Sequence, residues 1–201
     1  PKKTPTLMQT IKAYIDRISL WLGNVAAALL IVLVILIAYN VIMRYALRSS
    51  SIGIEELSCH IYAAVFLLAI PFALKTDSHV RVDLFYENFS AKTKALIDLL
   101  GACVFLIPTC LVVMWSGWHF MLASYQLGVQ PESIGDFFSM LTGDGIGEQS
   151  QDPGGLLNRW IIKGVIPLSF TFLLLGSSSF MLERWQALQN ARNGVNHSGV
   201  E

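Results

Sequence analysis

The chain has 201 residues, of which 54% are hydrophobic and 14% charged; an ordinary soluble domain carries about 25% charged residues, so a disordered chain is excluded. Its 14 Lys+Arg and 14 Asp+Glu cancel, leaving no overall basic field to hold nucleic acid. Charges are missing altogether from four long stretches, at about 18–43, 57–74, 99–125 and 164–182. A helix needs about 20 mainly apolar residues to cross a bilayer, because lipid cannot satisfy exposed backbone groups. A soluble helical bundle would show a polar face at every turn, and the run from Val25 to Ala38 has none. The expected fold is therefore all-α: an integral membrane four-helix protein, one domain over residues 1–201 without internal repeats.

In chain order, Ile11, Ile15, Ile18 and Leu22 recur at helical spacing while Lys12, Asp16 and Arg17 fall off that face. This predicts an interfacial N-terminal helix, or a helical extension of the first span. The second span begins after Glu55 and Glu56. In the middle loop, from Lys75 to Asp98, Ser90 is placed to N-cap the third helix. The stretch 126–163 is the longest segment outside the spans. It is rich in turn residues and carries Glu132, Asp136, Asp144, Glu148 and Asp152, so it reads as an irregular acidic cap. Its piece from Asp144 to Asp152 lacks the alternating ligands and terminal Glu of a calcium loop. Arg159, Trp160 and Lys163 anchor the start of the last span, and Arg184 with Trp185 its end. Pro71, Pro108 and Pro167 are candidate kinks in three of the spans.

Four spans place both termini and the middle loop on one side. That side holds ten of the 14 Lys+Arg, and the other holds only Arg44, Arg48, Arg159 and Lys163. The positive-inside rule predicts that both termini and the middle loop are cytoplasmic, with 126–163 facing outward.

No Asp, Glu, Lys or Arg lies inside a span, and no matched pair of interrupted helices is present, whereas a subunit that carries its own ion or solute pathway usually shows one or the other. The expectation is an accessory subunit. Its polar span residues, among them Asn24, Asn40, Thr109, Ser116, Ser124, Ser169 and Ser177 to Ser179, serve internal packing or docking to a second membrane protein. No GxSxG, HExxH or Walker sequence occurs, so no enzymatic activity is expected. Cys103 and Cys110 are seven apart and share a helix face; with Cys59 they form no zinc or redox motif and read as buried thiols. No cofactor is expected. The alternative is a haem-binding cytochrome b-type anchor with His60 and His119 as axial ligands at similar depth on the second and third spans.

Further residues form an ordered set. Asn40 precedes Arg44-Tyr45 at the close of the first span, Glu55-Glu56-Leu57 open the second, and His79-Val80-Arg81-Val82-Asp83 come just after it. Pro153-Gly154-Gly155, Arg159-Trp160 and Lys163 to Pro167 come later. Over roughly residues 15–185 this set resembles the small membrane (DctQ-like) subunit of tripartite ATP-independent periplasmic (TRAP) transporters. The resemblance implies a non-catalytic partner of a large polytopic membrane subunit in a prokaryotic inner membrane. It also implies a transient periplasmic substrate-binding protein and sodium-coupled uptake of a small organic acid or related solute.

The subunit-interface or structural ion-pair candidates are Asn40, Arg44, Glu55, Glu56, Arg81 and Asp83. Arg44 can pair with Glu55 or Glu56 across the first connection, or the two acids simply begin a helix and complement its dipole. Arg81 and Asp83 flank Val82 in a loop whose alternate residues are apolar, suited to dock on a neighbour or to tuck beneath the bundle.

Overall fold

The computed structural model describes residues 7–76 and 91–192. Its elements are α1 (Leu7–Ala46), α2 (Ile52–Lys75), α3 (Ala91–Gly101), a π-helical turn (Ala102–Leu106), α4 (Ile107–Gln126), α5 (Ile134–Thr142) and α6 (Trp160–Arg192). Among the described residues four stretches are long and apolar enough to cross a membrane: Lys12–Ala46, Ile52–Lys75, Leu96–Gln126 and Trp160–Gln186. The all-α, four-span architecture is the one the charge-free stretches predict.

The lead runs unbroken into the first span, so the extension, of the two readings open for it, is what forms. At 1.5 Å per residue α1 is about 60 Å long, roughly twice the hydrocarbon thickness, and its first turns stand beyond the apolar stretch. At that end Lys75 Nζ donates to the Asp16 carbonyl at 3.1 Å and stands 3.8 Å from its carboxylate. Ser90, Arg81 and Asp83 lie outside the described residues.

The π-helical turn has a local cause. Pro108 has no N–H and its ring crowds the carbonyl four residues back, and the Ile107 N–H bonds five residues back, to Ala102. The extra residue rotates the remainder of the span by about 100°. Cys103 and Cys110 therefore do not share a face, as their spacing predicted: Cys103 is exposed and Cys110 buried. Cys59 is exposed too, so of the three expected buried thiols only Cys110 is one. Pro71 and Pro167 are accommodated inside continuous helices.

The spans do not close into a ring. α1 packs on α2, α4 packs on α6, and α6 also packs on α1, α2 and α3, while α4 has no extended contact with α1 or α2. The result is an open row with α6 at its centre, which is why 28% of the most apolar stretch of α6 is buried and only 11% of that of each other span. Leu22, Ala26 and Leu68 form one core cluster and Leu74, Cys110 and Leu173 another. Small residues set the close approaches: a Cβ on Gly23 would meet the Phe72 ring at 2.6 Å, and one on Gly117 would meet Ile166 at 3.0 Å.

The polar span residues divide. Ser124, Ser169, Ser177 and Ser179 are buried, and the Ser169 hydroxyl donates to the Leu67 carbonyl across the α2/α6 seam. Asn24, Thr109, Ser116 and Ser178 lie on the outer surface.

Candidate functional site: two carboxylates that bind the 126–163 loop to the helix ends

The loop is fastened where α2, α4 and α6 end. Glu56, in the first turns of α2, accepts the Ser150 hydroxyl at 2.6 Å and the Leu156 N–H at 2.7 Å. Glu148, within the loop, accepts the buried Ser124 hydroxyl of α4 at 2.8 Å and the Lys163 ammonium of α6. The main chain repeats the attachment: Glu148 N–H donates to the Ser124 carbonyl at 2.8 Å, and Arg159 N–H to the Glu148 carbonyl at 3.0 Å. The Lys163 and Ser124 hydrogen bonds hold the Glu148 carboxyl below its ordinary range. Lys163 also stands 4.3 Å from the Phe120 ring centroid.

Gly147 makes the Glu148 contact possible. Its φ is +71°, and a Cβ there would lie 2.7 Å from the Ser124 carbonyl oxygen and 2.9 Å from that of Tyr125. Arg159 is within electrostatic reach of both Glu56 and Glu148, and its Nε is buried with no hydrogen-bond partner among the described residues. Trp160 packs edge-on against Tyr125 at 5.3 Å. Arg159 and Lys163, expected as interfacial anchors, thus also serve the loop. The arrangement is mechanical: it fixes an acidic surface at one end of the spans. Among the described residues no group of three or more His, Cys, Asp and Glu is placed to hold a metal.

Of the residues singled out in the sequence, Arg44 and Glu55 meet at 3.1 Å, both well exposed. Glu56 turns away from Arg44 and into the loop. Asn40, one turn before Arg44, is half-buried. His60 is half-buried on α2, and His119 is exposed on α4 against Trp115 at 4.7 Å. The helices bearing them each pack on α6 and share no extended contact. Ser124, Glu148 and Lys163 were not anticipated as a unit. Glu148 is one acid among five in its loop, and no local pattern marks it.

The family model for the DctQ component of tripartite ATP-independent periplasmic transporters matches residues 33–187. The chain belongs to the DctQ family. It is a small membrane subunit of a TRAP transporter and a multi-pass membrane protein. The match runs from within α1 to within α6 and so includes Glu56 and Glu148 with all their partners. No curated protein matches this DctQ chain.

Proposed function

We propose that this DctQ subunit is a non-catalytic support for the large polytopic subunit of its transporter. In that complex the large subunit takes up a small organic acid or related solute with sodium, after delivery by a periplasmic binding protein. Both termini are cytoplasmic, in a prokaryotic inner membrane, and the acidic 126–163 loop faces the periplasm, in line with the Lys+Arg bias.

The observation that carries this reading is Asn24. It lies within the first span, is exposed, and shares its face of α1 with the exposed Ile31 and Ile35, two and three turns further on. A carboxamide facing lipid has nothing to bond to, whereas a neighbouring transmembrane helix offers partners. The open row leaves much apolar helix surface uncovered as well. The absence of Asp, Glu, Lys and Arg from the spans fits a chain that carries no solute itself. On this reading Asn40, Arg44, Glu55, Arg81 and Asp83 contribute to subunit contacts, and Glu56 acts by holding the loop.

The test is affinity purification of the tagged chain from native membranes in mild detergent, with mass spectrometry of stoichiometric partners. One much larger polytopic protein is expected, and Asn24→Leu should lower its recovery several-fold while leaving insertion intact. Recovery of the chain alone, or of redox subunits, would overturn the reading.

A further inference from the structure

Within the 126–163 loop, α5 begins with a local cap. The Ser133 side chain accepts the Asp136 N–H at 3.2 Å and donates to the Asp136 carboxylate at 2.9 Å. At helical spacing Met140, Phe137, Leu141, Ile134 and Phe138 fall on one continuous arc, opposite Gly135, Asp136, Ser139 and Thr142. Half of that arc, formed by Phe137, Met140 and Leu141, is partly covered by the chain itself. The other half is not: Ile134 is 81% and Phe138 63% exposed.

The level at which this face sits is fixed by Asn158. Its side chain donates to the Leu141 carbonyl at 3.0 Å and accepts the Ile146 N–H at 2.7 Å, while its own carbonyl accepts the Ile161 N–H at 3.1 Å in the first turn of α6. One residue therefore joins the last turn of α5 to the first turn of a membrane span. Gly145 N–H adds a bond to the Met140 carbonyl at 2.7 Å, and Ile146 between them is fully buried. These bonds tie the last turn of α5 to the residues just before Trp160, where the last span begins, and a Trp at the start of a span marks the headgroup level.

We propose that α5 lies in the headgroup layer as an interfacial helix, with Ile134 and Phe138 among the upper acyl chains of the adjacent leaflet. The helix carries no basic residue and one acid, Asp136, on its polar arc, so the attraction is apolar and takes neutral phospholipid without a requirement for anionic headgroups. This role is independent of which protein the spans contact.

The test places the photocrosslinker p-benzoylphenylalanine at position 138 of the full chain, reconstituted in vesicles of phosphatidylcholine and phosphatidylethanolamine. Position 136 is the polar-arc control and position 112, exposed within the third span, the lipid-facing reference. After irradiation, mass spectrometry should find phospholipid adducts at 138 at a yield comparable with 112 and several-fold above 136. Adducts at 112 but not at 138 would overturn the proposal. In native membranes the same label at 138 should again find lipid, and a protein adduct there in its place would overturn it equally.

Discussion

The Leu156 N–H donates to the Glu56 carboxylate at 2.7 Å, across 100 residues of sequence. With the Ser150 hydroxyl on its other oxygen, Glu56 closes the loop over the start of α2, while its neighbour Glu55 only meets Arg44 at the surface. The two adjacent acids therefore have separable roles. Glu56→Gln replaces one acceptor oxygen with a donor and should raise cleavage of the loop by added protease several-fold in the solubilised protein. Glu55→Gln should leave cleavage near the wild-type rate, since exposed ion pairs contribute little.

Glu148 gives the loop a pH dependence of known sign. Its carboxyl is held below the ordinary range by Lys163 and then Ser124, so its contribution is fully present above the ordinary carboxylate value and is lost as pH falls through the lowered one. Protease sensitivity of the loop should rise on acidification in the wild type. In Glu148→Gln it should be raised already at neutral pH and depend less on pH, read in the same titration.

Gly147→Ala tests the close approach beneath Glu148. A left-handed backbone costs a residue with a Cβ about 1–2 kcal/mol, and here the Cβ would also meet two carbonyl oxygens. The expected outcome is a lowered thermal midpoint in detergent. Gly154→Ala is the comparison: its φ is +80° but a Cβ there meets nothing within 4 Å, so the difference between the two variants measures the contact rather than the backbone strain.

At the opposite end of the spans Arg184 Nε stands 3.0 Å from the Asp98 carboxylate, whose side chain is only 9% exposed, and the guanidinium lies 4.8 Å from the Phe180 ring centroid. Asp98→Asn removes the charge from a largely buried pair and should cost about 1–3 kcal/mol. Arg184→Lys keeps the charge without the planar fork and should lose part of that stability. Thermal unfolding in detergent of the single and double variants would show whether the two losses are coupled.

The sequence by itself determined the four spans, because a charge-free run of spanning length has few alternatives in a bilayer. It also determined the ordered residues by which the chain resembles its family, and it brought Arg44 within reach of Glu55 and Glu56 across one short connection, while only the structure selected Glu55 for the pair and turned Glu56 to the loop. The α5 helix was only half legible: the 126–163 loop read as irregular, although Ser133 with Asp136 three residues later is a helix-start signal. The tertiary structure decided the rest. Apolar helices without polar faces carry no periodic mark of which side is inside, so the open row centred on α6, and the division of Ser124 and Ser169 from Asn24 and Thr109, emerged only on packing. Pro108 was visible, but the register shift that parts Cys103 from Cys110 depends on how the chain relieved it. The roles of Glu56 and Glu148 depend on hydrogen bonds spanning 94 to 100 residues for the first and 15 to 24 for the second, and contacts at such separations leave no pattern in a single sequence.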